Sequence, residues 1–156
     1  MATEPLHDLE QQAWEGFLRA HDRLSRALET GLNRVNVSLS EYSVLALLGT
    51  AGPDGKSMTA LAEQRLMSSG GFTRLADRLE RRGLIERKRS ATDGRSFDAT
   101  LTRSGRALLR KARRQHHSDL RALFFDHLND DDLRYLADVW NRLDPSSTAD
   151  DADTAE

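Results

Sequence analysis

The sequence predicts a mainly α fold with a small β-hairpin wing: a winged helix-turn-helix with a longer helical region on either side. Three patterns carry that expectation. From Gly70 to Arg82 the apolar residues Phe72, Leu75, Ala76 and Leu79 fall at i, i+3, i+4 and i+7, one face of an amphipathic helix, and a shorter helical stretch precedes them. After Gly83, two short runs flank Asp93-Gly94, a turn signal, and the second alternates Phe97, Ala99 and Leu101 with Asp98, Thr100 and Thr102. Before and after this block lie helical stretches with apolar stripes.

Taken in order, residues 6–32 read as one helix. Leu6, Leu9, Ala13, Phe17, Leu24 and Leu28 form one stripe, and Trp14, Leu18, Leu28 and Leu32 a second. Two stripes imply burial on two sides. A small domain offers one core, so the second side points to a partner chain. A second helix of 41–50 is expected to start at Ser40 as N-cap, with Leu39 and Val44 in the hydrophobic-staple positions. Gly49 and Gly52-Pro53-Asp54-Gly55 end it. Thr59 can cap a third helix of 60–66, with Leu61, Ala62 and Leu66 inward. Met67-Ser68-Ser69-Gly70 is the turn into the Gly70–Arg82 helix, so the pair matches a helix-turn-helix. Ser68 and Ser69 can cap that helix, and Gly83 stands where a C′ glycine should. Its outer face carries Thr73, Arg74, Asp77, Arg78 and Arg81. Gly70 and Gly71 would each cost about 1 kcal/mol in a helix interior. In the first turn the cost is smaller, and a missing side chain lets the backbone approach a phosphate or a base edge.

The hairpin carries Arg87-Lys88-Arg89 on its first strand and Arg95 near its tip, a pattern suited to phosphates or a minor groove. Thr102 is the expected N-cap of a helix of 103–127 whose first half is basic, and Asn129 that of a helix of 130–143. Asp130, Asp131 and Asp132 suit the positive end of that last helix. The domain plan is then a helical dimerisation region of 1–36 and 103–143, a DNA-binding region of 37–102, and a disordered acidic tail of 144–156.

Charge and composition bound the function. The chain has 156 residues and a net charge of −2, which by itself argues against nucleic acid. The distribution argues otherwise: between Lys56 and Arg95 ten Lys/Arg face five acids, while from Asp144 onward there are five acids and no base. A local basic surface can bind phosphates whatever the total. No cysteine is present, which excludes disulfides, thiolate metal sites and thiol sensing in this chain. No run approaches the ~20 apolar residues of a membrane span. The N-terminus has neither a basic nor an apolar region, so no signal peptide is expected and the protein reads as cytoplasmic. The five histidines are scattered without an i, i+4 pair, so no metal and no cofactor are expected. No catalytic arrangement has motif-level spacing, and no phosphate-cradling glycine loop follows a strand, so the chain does not read as an enzyme.

Residues 10–143 resemble the MarR family of bacterial regulators. The carriers are Ser68-Ser69-Gly70-Gly71-Phe72-Thr73-Arg74-Leu75, Asp77 through Arg87, Asp93-Gly94-Arg95-Ser96 and Leu101-Thr102 with Gly105, in this order and spacing. The resemblance implies a homodimer on a pseudo-palindromic double-stranded operator, held together by the first and the last two helices. It implies that Ser68, Ser69, Gly70, Thr73 and Arg74 face the major groove. Arg95 would enter the minor groove, oriented by Asp93, although an aspartate before glycine is also an ordinary turn former. Arg78, Arg87 and Arg89 join the expected DNA contacts as cations on the same face. The residue after Asp93 is glycine where arginine is common, so the wing has one cation fewer. Many relatives bind small aromatic or phenolic acids in a crevice beside the dimer helices. Trp14, Leu18, His21 and Tyr42 are the residues here that could line one, although at helical spacing Trp14 and Leu18 also fit a core. The alternative is a winged helix used for protein contact, which the basic wing opposes. Neither the ligand, the operator nor the direction of regulation is written in the sequence.

Overall fold

The computed structural model describes residues 4–52, 55–64, 69–90 and 97–144. The chain divides into two compact units, Met1–Asp119 and Leu120–Glu156. The first contains α1 (Asp8–Asn33), α2 (Leu39–Thr50), β1 (Lys56–Ser57), α3 (Met58–Gln64), α4 (Ser69–Arg81), β2 (Ile85–Arg89), β3 (Phe97–Leu101) and most of α5 (Arg103–Leu123). The second holds the end of α5, a 3-10 turn at Phe125–His127, and α6 (Asp130–Leu143). The fold is a winged helix-turn-helix, as expected, with one addition. β1 joins the hairpin as a third antiparallel strand in the order β1-β3-β2, with Lys56 opposite Ala99 and Ile85 opposite Leu101. Two residues are too few to show a period, so β1 left no trace in the sequence pattern.

Helix starts differ from the expected ones for a local reason. α2 begins at Leu39 rather than 41, and its cap is Ser38 rather than Ser40. Ser38 Oγ accepts the Glu41 N–H at 3.2 Å, and Glu41 Oε2 accepts the Ser38 N–H at 3.0 Å. This capping box needs an acid three residues on, which Ser38 has in Glu41 and Ser40 lacks. The N′ and N4 positions therefore fall to Val37 and Tyr42, both buried. α3 begins at Met58 because Ser57, not Thr59, caps it, its Oγ accepting the Ala60 N–H at 3.1 Å. His7 and Glu10 form a second capping box at the start of α1. α5 stops at Leu123, short of the expected 127, where the chain tightens into the 3-10 turn.

The core of the first unit gathers Leu32 of α1, Val44 and Leu45 of α2, Leu61 of α3, Phe72, Leu75, Ala76 and Leu79 of α4, Ile85 and Ala99 of the sheet, and Leu109 and Ala112 of α5. The end of α1 and the first half of α5 thus share one core with the helix-turn-helix. The rest of α1 does not: Leu9, Trp14, Phe17 and Leu18 are exposed, and only Leu28, Gly31 and Leu32 of the helix are buried. Phe97, expected on the inward face of its strand, is 46% exposed, because burial fades toward the hairpin tip while Ala99 and Leu101 stay covered. In the second unit α6 starts at a capping box of Asn129 and Asp132, as the sequence predicts for Asn129, and exposes Tyr135, Trp140 and Leu143. The proposed acidic tail from Pro145 onward lies outside the described residues.

α4 closes with a Schellman motif. Gly83 takes φ +66°, its N–H donates to the Glu80 carbonyl at 2.8 Å, and the Leu84 N–H donates to the Leu79 carbonyl at 3.0 Å. The Leu84 carbonyl then accepts the Thr102 N–H at 3.1 Å, and Thr102 Oγ1 caps α5 by accepting the Gly105 N–H at 2.9 Å. Gly105 sits so close to this corner that a Cβ would collide with the Leu84 carbonyl oxygen. Gly105→Ala should therefore destabilise the chain by about 1–3 kcal/mol or more. Urea unfolding followed by circular dichroism measures it, and wild-type stability would show that the corner yields.

Candidate nucleic-acid interface

α4 is held by its apolar stripe and turns the opposite side outward. Phe72, Leu75, Ala76 and Leu79 are buried, whereas Thr73, Arg74, Arg78 and Arg81 are exposed. At Gly70 an added Cβ would meet no described atom within 4 Å, so no internal neighbour demands a glycine there. Of the residues the sequence assigns to DNA, Gly70, Thr73 and Arg74 come together on this outward side. Arg89 lies exposed at the end of β2, opposite Phe97. Ser68, Asp93, Arg95 and the side chain of Ser69 lie outside the described residues.

Arg78 and Arg87 have a second engagement that the sequence did not reveal. Arg78 Nε is 3.1 Å from Oε1 of Glu41, and Arg82 Nη1 is 2.9 Å from its Oε2. Arg82 Nη2 also donates to the Asn36 carbonyl at 2.6 Å, at a residue with φ +59°. The Glu41 side chain is only 7% exposed. Burial pushes its pKa up, but the Ser38 N–H, Arg82 and Arg78 outweigh that and hold it below the ordinary glutamate range. On the other side of α4, Arg87 of β2 pairs with Asp77 Oδ1 at 2.7 Å and with Glu80. Glu80 Oε1 also accepts the Arg87 backbone N–H at 3.3 Å. The hydrogen bonding from the Arg87 guanidinium to the Glu80 carboxylate lowers the Glu80 pKa and raises that of Arg87.

The four residues expected to line a ligand crevice are not brought together by the described structure. Trp14, Leu18 and His21 lie on the exposed part of α1, with Phe17 between Trp14 and His21 at ring distances of 5.7 and 6.0 Å. Tyr42 instead lines a cavity of about 560 Å³ between α2 and α5 with Ser43, Leu47, Arg113, His116 and His117. The Tyr42 and His116 rings stand 4.4 Å apart, and the Arg113 guanidinium lines the same cavity. Burial raises the Tyr42 pKa, against the opposing pull of Arg113. His116 Nδ1 is buried with no hydrogen-bond partner among the described residues. Among those residues no group of three His, Cys, Asp or Glu could hold a metal ion.

Burial, reinforced by His117 and opposed by Asp119, lowers the His116 pKa. A histidine depressed on folding contributes stability that is whole above its unfolded pKa, about 6.5, and is lost as pH falls through its folded value. Urea unfolding across that range should show stability declining on the acid side of pH 6.5, and His116→Phe should flatten this part of the profile. An unchanged profile in the variant would assign the decline to other groups.

Comparison with known proteins gives a consistent picture. Residues 35–96 match the sequence profile of the MarR family. The fold is similar to that of AbsC, a MarR family transcriptional regulator from Streptomyces coelicolor, with a TM-score of 0.86 and 28% identity over 94% of this chain and 97% of that one. It is also similar to Sco3205, a MarR family regulator from the same organism solved in complex with DNA, with a TM-score of 0.84 and 25% identity over 90% and 89% of the two chains. The organic hydroperoxide resistance transcriptional regulator of Bacillus subtilis is 36% identical over 81 residues, 52% of this chain and 54% of that protein.

Proposed function

We propose, from the premise that this chain belongs to the MarR family of transcriptional regulators, that it is a ligand-responsive repressor binding a pseudo-palindromic operator as a homodimer. The observation that carries the DNA reading is the outward side of α4. Gly70, Thr73 and Arg74 stand together there, seated by a buried stripe and unobstructed at Gly70. In this reading Ser68, Ser69, Gly70, Thr73 and Arg74 enter the major groove, where arginine can grip guanine with two bonds. Arg95, oriented by Asp93, enters the minor groove, and Arg89 reaches a phosphate beside it. Arg78 and Arg87 serve DNA binding indirectly in this reading, positioning α4 through the acids they pair with. Sco3205, similar along most of its length, was solved bound to DNA.

The dimer reading rests on two apolar surfaces that their own units leave uncovered. One is Leu9, Trp14 and Leu18 of α1; the other is Tyr135 and Leu143 of α6. Exposed apolar surfaces of this kind mark contact sites. A two-fold dimer would set two α4 helices about 34 Å apart, one turn of duplex. The cavity of Tyr42, Arg113 and His116 suits the small aromatic or phenolic acid of the ligand reading: apolar walls, a ring to stack on and a guanidinium for the carboxylate. The chain has no cysteine, so none of its thiols could report a hydroperoxide. Among the described residues no helix is long and apolar enough to cross a membrane, and the proposed place of action is the cytoplasm.

Selection of duplexes from a random pool by the full chain, followed by mobility shift at several salt concentrations, tests the reading. A palindromic consensus whose binding survives competitor DNA supports it. Weak binding that vanishes with modest salt would favour a protein-contact module instead. Arg74→Ala should cost about 1–3 kcal/mol on the selected site and relax its sequence preference, whereas a uniform loss across sequences would reassign Arg74 to phosphate. Arg95→Ala should weaken binding and reduce the salt slope by about one; full affinity would remove the wing from the interface. Sedimentation of the free protein as a monomer would overturn the dimer.

A further inference from the structure

Glu41 is the one charged residue in the buried set of the described chain. A capping box explains part of its position, since Oε2 accepts the Ser38 N–H. It does not explain why two arginines at the end of α4, far along the chain, converge on the same carboxylate. Oε1 takes Arg78 at 3.1 Å and Oε2 takes Arg82 at 2.9 Å. Arg82 is further pinned by the Asn36 carbonyl, so the C-terminal half of α4 is tied to the start of α2 by charge as well as by apolar packing. Arg78 lies on the helix that carries Thr73 and Arg74 outward, and Arg82 follows directly after its end. Released from Glu41, they would be two mobile cations beside a duplex, free to meet phosphates of any sequence.

We propose that Glu41 is a specificity-determining positioning residue, fixing the pose of α4 while withholding Arg78 and Arg82 from indiscriminate phosphate contact. The inference rests on the DNA-binding reading above. Two effects of opposite sign follow from removing the charge. Site-specific binding weakens because α4 loses its electrostatic seat. Binding to arbitrary duplex strengthens because two guanidinium groups are freed, and each that finds a phosphate steepens the salt dependence by about one unit of log–log slope. A residue that merely stabilised the fold would weaken both kinds of binding together.

The test compares wild type, Glu41→Gln and Glu41→Asp as full chains, against a duplex selected by the wild type from a random pool and against the unselected pool. Glu41→Gln should bind the unselected pool more tightly, with a slope steeper by about one to two. Its affinity for the selected duplex should drop by about tenfold. Glu41→Asp keeps the charge but draws the carboxylate back by one methylene. It should shift both quantities the same way by less, and it stands in for Gln should that variant not fold. Parallel loss on both duplexes, or no change in slope, overturns the proposal. Failure of the wild type to select or bind any duplex would instead overturn the DNA-binding reading itself.

Discussion

Where α4 ends, the backbone passes through a left-handed glycine and the Leu84 carbonyl turns toward the end of the sheet. Four elements meet on that corner. α4 closes on it through Leu79 and Glu80, β2 leaves from it, β3 returns to it through Thr102, and α5 starts against it at Gly105. Thr102 Oγ1 also donates to the Gly83 carbonyl at 2.7 Å. Because the wing and α4 spring from the same few atoms, backbone hydrogen bonds fix their relative pose at the corner, and the Arg87 side chain adds a second tie between them. The proposed contact with two adjacent grooves needs that kind of rigidity, since a flexible wing would have to be ordered anew at each encounter.

Charge on α4 is divided between holding and reaching. Asp77 and Glu80 are spent on Arg87 of the wing, and Arg78 and Arg82 on Glu41. The helix is thereby strapped on two sides, once to the sheet and once to α2. What remains outward is Thr73 and Arg74 at its N-terminal end. Arg81 Nε donates to the Asp77 carbonyl at 3.3 Å and stays exposed. A count of arginines on this helix therefore overstates its reach toward a phosphate and understates how firmly it is set. The partly exposed pairs on the wing side contribute little energy singly, and their value lies in direction.

Much of this was legible because it is local. The stripe of α4, the glycine at its end, Thr102 before α5 and Asn129 before α6 all act within four residues of themselves, which is the reach of sequence pattern. Ser38 was legible too, since Glu41 stands three residues on, yet Ser40 had taken its place by nearness to the apolar run. The partners of Arg78, Arg82 and Arg87 were not legible: Glu41 is 41 residues from Arg82, and Glu80, only 7 residues from Arg87, meets it across the turn that ends α4, so both pairs form only after folding. The same holds for Tyr42. Its cavity companions Arg113 and His116 come from α5, and neither period nor spacing links two helices so far apart. Trp14, Leu18 and His21 are expected at a crevice only from the family resemblance, and their exposure places them on a surface rather than in that cavity.

The proposed ligand response needs a physical connection between cavity and α4, and α2 offers a short one. Glu41 and Tyr42 are adjacent in its first turns. One carboxylate holds Arg78 and Arg82, and the next side chain packs its ring against His116 in the cavity that Arg113 also lines. The α2 N-terminus is also fixed from α1, where Glu29 Oε2 accepts the Leu39 N–H at 2.6 Å. A guest that moved Tyr42 together with its backbone, rather than only rotating its ring, would turn or shift this first turn of α2, which Glu41 shares. The Glu41 carboxylate would move with it, and the two arginines it grips would follow or let go. Either outcome changes the seat of α4. A dense core transmits such a shift as a change between discrete packings rather than absorbing it. Differential affinity of the guest for the two packings would then set how far the equilibrium moves, and no wire longer than one turn of helix is required.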